Sequence, residues 1–333
     1  MKKNAFSKAW ITALLLIGCL TAADAEQAFL GIVTGDQKST AHHIGMDLKA
    51  LMVRNDIHLA VFDSYGSVEN IYAVYQRPGN HLGIVQSDVL AFVGKIDSDH
   101  RLRFIADKIK WIFPLYDMEV HILAADPVHR FDDLQGRRVA VGHVESGTYL
   151  TSRLLFEISG ITPSRMAAIG EDQALAALKA GSVDALVCID GMPGERLALD
   201  VSAADGLHLV SITHGAIREF YPASRIPAGT YAWQTADVDT VSVKAVLVAY
   251  DFRNHHCRTI GTAARLVVEN LDWLRRNGHP KWQSVDLTAT VPDWQRYQCV
   301  GNTAPDAVAP IDAPSTERKP NPVADAIEAV FRP

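Results

Sequence analysis

The sequence predicts an α/β protein of two similar lobes, each built on a parallel sheet covered by helices. Three observations predict it. From residue 28 onward, short apolar runs alternate with amphipathic helical patterns, and the same grammar restarts after about residue 126. Two distant segments, "AVYQRPGNHLGIVQSD" and "AALKAGSVDALVCID", also share one layout: helix end, glycine turn, buried strand, Asp. The likeness occurs twice rather than many times, which argues against a solenoid.

In chain order, "AFLGIV" reads as a strand and "AHHIGMDLKALM" as a helix with Ile44, Leu48, Leu51 and Met52 on one face. "IHLAVFD" is a strand, "SVENIYAVYQ" a helix with Val68, Ile71, Tyr72 and Tyr75 aligned, and "LGIV" a strand. The second lobe opens with "RRVAVG" as a strand. "TYLTSRLLFEI" follows as a helix aligning Leu150, Leu154, Leu155 and Ile158, then "QALAALKAG" as a helix and "VDALVCID" as a strand. "IPAGTYAWQ" crosses back, "VDTVSVKAVLVAY" is a strand, and "TAARLVVENLDWLRR" is a helix returning to the first lobe. The expected division is therefore 26–125 with 230–300 as lobe 1 and 126–229 as lobe 2. Residues 301–333 form a Pro/Ala-rich tail without periodicity, closed by a short helix over "VADAIEAVF".

The first residues place Lys2, Lys3 and Lys8 before an apolar run from Ala9 to Leu20 and the small-residue pattern Ala23-Asp24-Ala25. This is the pattern of a secretory signal peptide over residues 1–25, cleaved after Ala25. A second pattern, Leu16-Ile17-Gly18-Cys19, is that of a lipoprotein signal, which would leave Cys19 lipid-anchored. The well-formed alanine site puts export of a soluble protein first. Cleavage would leave 29 Lys and Arg against 37 Asp and Glu, a formal charge of −8. The basic residues are scattered, so no nucleic-acid groove is expected. Cys188 lies inside an apolar run as a buried thiol, leaving Cys257 and Cys299 as the expected disulfide in an oxidising compartment.

The candidate site begins at "GHVESGTYLTSRLL". Ser146-Gly147-Thr148 sit between a strand and a helix, where unpaired N–H groups and the helix dipole suit an anion, although for the motif alone simple capping is the favoured explanation. A counterpart, "DSYGSVEN", places Gly66-Ser67 at the same point of the first lobe, and "VTGDQKST" occupies the equivalent loop after the first strand. Glycine and hydroxyl turns at strand carboxyl ends of two sheets predict the facing walls of a cleft.

Enzyme and metal readings are weaker. "GHVESGT" does not space Gly and Ser as a Gly-x-Ser-x-Gly nucleophile turn, and no Walker-type loop occurs. Adjacent histidines on a helix, His42-His43 and His255-His256, diverge by about 100° and do not chelate together. No catalytic residue, metal or cofactor is expected. Asp88 reads as a helix-capping carboxylate before it reads as a general base.

These blocks, with "GSVENIYAVY", "GIVQSDV", "FDDLQGRRVAVGHVESGTYLTSRLL", "GSVDALVCIDGMPG" and "IPAGTYAWQTADVDTVSV", resemble in order the TAXI family of solute-binding proteins of TRAP transporters, over residues 28–250. The resemblance implies a type II periplasmic-binding-protein fold, with a hinge near Ala124–Pro127 and Ile226–Tyr231 and an interlobe cleft. It implies a monomeric periplasmic protein that captures a small anionic solute, such as glutamate or another organic acid, and delivers it to TRAP membrane subunits. Thr34, Gly35, Ser67, Asn70, Gln86 and Ser87 would line the first wall, and Ser146, Gly147, Thr148 and Tyr149 the second, with Gly191 and Pro193 nearby. His42 and His43 stand where many relatives carry Tyr-Tyr. The competing readings are a binding subunit serving a sensor or another transporter class and, more distantly, an exported serine hydrolase using Ser146.

Overall fold

The computed structural model of the chain describes residues 28–95, 104–105, 107–292 and 294–300. The signal segment, Cys19 and the 301–333 tail with its terminal helix lie outside the described residues. Among those residues no helix is long and apolar enough to cross a membrane.

The first half runs β1 (Ala28–Val33), α1 (Thr40–Val53), β2 (Ile57–Phe62), α2 (Ser67–Gln76), β3 (Leu82–Gln86) and α3 (Ser87–Lys95), followed by the long β4 (Ile109–Ala124). The second runs β5 (Arg138–Ala140), α4 (Gly147–Ser159), β6 (Arg165–Ala167), α5 (Glu171–Lys179), β7 (Ala185–Asp190) and α6 (Glu195–Asp200). Short elements follow: β8 (His208–Leu209), α7 (Gly215–Phe220) and β9 (Ala223–Ile226). β10 (Val238–Tyr250), α8 (His255–Glu269) and α9 (Leu271–Asn277) return to the first half. Ser39, Ser146 and Asn254 cap α1, α4 and α8, each accepting a bond from a first-turn backbone N–H. The one long C-terminal helix expected from sequence is two, divided at Asn270.

The main sheet path is β2-β1-β3-β10-β4-β7-β5-β6. β1 lies parallel to β2 and β3, and β5 parallel to β6 and β7. β10 is antiparallel to β3, and β4 is antiparallel to β7. Each half is thus three parallel strands in the same order plus one antiparallel strand, which accounts for the matching layout read in the sequence.

β4 pairs with β10 as far as Glu119 and with β7 from Glu119 onward, while β10 pairs with β9 up to Val241 and with β4 from Ser242. The chain therefore passes between halves inside two continuous strands, at Glu119 and Ser242. It does not do so in the breaks at Ala124–Pro127 and Ile226–Tyr231 expected as the hinge. Ladder pairing at Glu119 and Ser242 carries both strands across, although the β10–β4 register shifts between Lys244 and Val246 and between Leu247 and Val248.

Side chains alternate across the sheet with period two. Val243, Ala245 and Leu247 of β10 join one core with α1 and α8, whereas Val246 and Val248 join a second with Ile71 and Val74 of α2. Leu150 and Leu154 of α4 belong to that second core, so the halves share apolar contact where α4 meets the first lobe. The Cys257–Cys299 disulfide is formed, and Cys188 is a buried free thiol.

Candidate functional site

A cavity of about 60 Å³ opens between the halves. Its wall residues sit at strand carboxyl ends and helix starts, the positions at which open α/β sheets hold ligands. The first half contributes Thr34, Gly35 and Asp36 after β1, Tyr65, Gly66 and Ser67 before α2, and Gln86 at the end of β3. The second contributes Ser146, Gly147 and Thr148 at the start of α4, Glu171 at the start of α5, and Asp190 at the end of β7.

Local chemistry fixes this wall. The Ser67 hydroxyl accepts a bond from the Gln86 N–H at 3.0 Å, tying the α2 start to β3. Asn70 donates from Nδ2 to the Thr34 and Ile84 carbonyls and accepts from the Ser64 hydroxyl, so two loops and β3 are held by one buried amide. Gly66, with φ of 126°, occupies a backbone region that favours glycine.

The halves are clasped across the cavity. The Glu69 N–H donates to the Glu145 carbonyl at 3.0 Å, and the Tyr65 and His143 rings stack with centroids 3.7 Å apart. The Thr151 hydroxyl, with one proton to donate, lies 3.1 Å from Gln86 Oε1 and 2.6 Å from Asp88 Oδ2. Gly147 has no room for a side chain, because a Cβ there would lie 2.2 Å from Gln86 Oε1. Asp190 accepts from the Thr40 N–H and so places a carboxylate at the α1 N-terminus from the opposite half.

Seven sequence-predicted residues line the cavity together: Thr34, Gly35, Ser67, Gln86, Ser146, Gly147 and Thr148. The others do not reach it. Asn70 spends its amide on backbone. Ser87 faces a separate cavity of about 270 Å³ on the α7 side and accepts from the Lys244 N–H. The Tyr149 ring packs on the core with Arg153 over its face, and Gly191 is wedged among Thr40, Tyr116 and Lys281. Pro193, in a cis peptide with Met192, is not among the lining residues. His42 pairs with Asp63, and His43 with Glu195 and the His279 ring, so neither imidazole lines the wall.

Sequence reasoning missed the acidic side of the cavity: Asp36, Glu171 and Asp190. Each stood at a strand end or helix start, the signal used to choose the hydroxyl residues. Arg196, buried on α6, binds both Asp36 and Glu171 from behind. Burial and the neighbouring Glu171 push the Asp190 carboxyl up to about 7, and burial raises Glu171 as well, against the pull of Arg196.

Asp88 does more than cap α3. Its Oδ1 accepts from the Val89 N–H, and its Oδ2 from Thr151 and Tyr221 of the second half. Burial pushes its pKa up to about 6 from an ordinary 3.8. The folded chain therefore holds a proton that the unfolded chain has released. This contribution favours folding near pH 4 and is lost as pH rises through about 6. Asp88→Asn mimics the protonated group. It is expected to match wild type near pH 4 and to be the more stable by roughly 2–3 kcal/mol at pH 7, read from urea midpoints across that range. A difference independent of pH would count against the buried carboxylate.

The fold has solved counterparts. It resembles a structure from Bordetella bronchiseptica RB50 with 13% identity and a TM-score of 0.51, covering 92% of this chain and 90% of that one. It also resembles the periplasmic binding protein BugD, with 10% identity and a TM-score of 0.53 over 82% of this chain and 92% of that one. A third, described as a periplasmic transporter, has 14% identity and a TM-score of 0.51 over 77% and 89%. At such identities the likeness establishes the fold, two α/β lobes of type II periplasmic-binding-protein architecture, with a cleft between them. Residues 32–290 match the NMT1-like family, and the chain is a member of that family.

Proposed function

We propose that this chain is an extracytoplasmic solute-binding protein that captures a small amino acid or organic acid between its lobes. The observation that carries the reading is the cavity itself, walled by strand ends and helix starts from both halves. Of the first-turn N–H groups of α2 and α4, those of Glu69 and Tyr149 are already bonded, and the remaining ones favour an anionic group there. Asp36, Glu171 and Asp190 face the same space, and among the described residues no lysine or arginine lines it. A zwitterion, with its carboxylate toward α2 and α4 and its ammonium toward the acidic side, satisfies both ends. The geometry therefore favours an amino acid over a dicarboxylate. Closure removes water from these contacts and strengthens them.

In the finer reading, the captured solute is delivered to the membrane subunits of a TRAP transporter. The ordered sequence blocks from residue 28 to 250 support it. Reconstituted with such subunits, the protein should drive uptake that stops when the ion gradient is collapsed and continues without ATP. Uptake that follows ATP instead would overturn this step.

Thermal-shift screening against amino acids, dicarboxylates, 2-oxoacids, sugars and amines tests the solute class. At a hundredfold excess over Kd a true ligand stabilises by about 2.7 kcal/mol, a rise on the order of 5–10 °C. Stabilisation by sugars alone would sink the reading. Thr148 offers a sharper test, since it is 4% exposed, lines the cavity, and its hydroxyl makes no hydrogen bond among the described residues. Thr148→Val should leave the apoprotein's stability unchanged or slightly higher while weakening solute binding by about 0.5–3 kcal/mol, measured by calorimetry. Equal affinity would remove Thr148 from the site.

A further inference from the structure

We propose that Asp126, His129 and His208 form a binding site for a divalent transition-metal ion, separate from the solute cavity. Asp126 and His129 lie in "DPVH", just after β4 ends, and His208 lies on β8. The pairing of Ala124 with His208 across these strands holds the two segments in register. One donor atom from each of the three side chains lies within 4.8 Å of the other two. Asp126 Oδ1 is the common point, 3.2 Å from His129 Nε2 and 4.0 Å from His208 Nδ1.

The hydrogen bonding of His208 points to a cation. Its Nε2 lies 2.7 Å from the Val128 carbonyl, which can only accept, so Nε2 carries the proton. In the neutral ring Nδ1 is then left with a bare lone pair toward a carboxylate oxygen. A lone pair and a carboxylate oxygen turned toward one another make a place for a cation, and a third donor, His129, makes it a chelating one. A backbone carbonyl holding the far nitrogen is also how metal-ligating imidazoles are commonly oriented.

The His129 and His208 rings are stacked, with centroids 4.6 Å apart and planes at 18°. Chelation requires their lone pairs to converge at bonds of about 2.0–2.1 Å. His208 stays on the Val128 carbonyl while His129 and Asp126, whose side chains are 62% and 83% exposed, are free to turn toward its Nδ1. Two imidazoles and one carboxylate suit Zn²⁺, Ni²⁺ or Cu²⁺ rather than the oxygen-seeking Mg²⁺ or Ca²⁺. Water completes the coordination. A bound ion would clip the segment leaving β4 to the β8 strand.

The test uses the full chain without a histidine tag, stripped with chelator and titrated calorimetrically with Zn²⁺. The expected result is one ion per chain. Binding should weaken by more than about 100-fold in His129→Ala and in His208→Ala, since loss of even a supporting partner costs about 10–100-fold. Independently, Cu²⁺ bound to the wild type should show two nitrogen ligands by electron paramagnetic resonance, a readout that needs no variant to fold. Absence of binding, a Cu²⁺ spectrum without two nitrogens, or unchanged affinity in the double histidine variant would each overturn the proposal.

Discussion

Lys281→Met is expected to lower the free energy of unfolding by about 3–5 kcal/mol, the largest stability loss predicted for this chain. Lys281 donates to both carboxylate oxygens of Glu119, at 2.6 and 2.8 Å, where the two side chains are 8% and 2% exposed. Glu119 stands where β4 changes partners from β10 to β7, and it also accepts the Met192 N–H. Burial already pushes its carboxyl up, and Lys281 is the chief force pulling it down. Without that cation the strand junction holds an uncompensated charge or must take up a proton. The deficit should therefore shrink as pH falls toward the carboxylate range, where protonation relieves it. Glu119→Gln combined with Lys281→Met should recover much of the loss, because a neutral pair carries no unpaired charge. Urea unfolding will read this as a shifted midpoint at constant slope. A loss under about 1 kcal/mol at neutral pH would show that the pair contributes little.

Gly147→Val should reduce solute affinity by more than about 100-fold, or roughly 2.7 kcal/mol. A Cβ at this position would meet Gln86 Oε1 at 2.2 Å and Cδ at 2.4 Å. Gln86 is buried and its Oε1 is held by Thr151, so it has little freedom to withdraw. The wedge is relieved by separating the halves, which also breaks the Glu69–Glu145 bond, the Tyr65–His143 stack and the apolar contact of Leu150 and Leu154 with the first half. Small-angle scattering should show a wild type that contracts on binding its solute and a variant that does not. Normal contraction and affinity would mean that Gln86 yields instead.

Periodicity made most elements legible in the sequence, because helices and strands each bury a fixed face: the strand predicted at "VDTVSVKAVLVAY" is β10 to the residue. It said nothing about strand direction. β4 is almost continuously buried over sixteen residues, so it carries no alternation to mark it, and only pairing reveals it as antiparallel. In the cavity, glycine and hydroxyl turns were readable because backbone geometry demands them locally. Asn70 and Ser87 look the same in sequence as Ser67 and Gln86, yet tertiary hydrogen bonds turn one pair away. The carboxylates escaped notice for a chemical reason. A search for an anion seat passes over Asp36, Glu171 and Asp190, whose presence becomes meaningful only when they meet in one space.

The sharing of long strands bears on how the molecule is made. The sheet edge left open by β3 is covered by β10, which is synthesised about 150 residues later. Until then the amino-terminal third has an unfinished sheet and an uncovered core face. Completing that sheet must therefore wait until about three quarters of the chain is made, and it proceeds through contacts far apart in sequence, which slows folding. A nascent polypeptide with that property stays pliable until its last strand arrives.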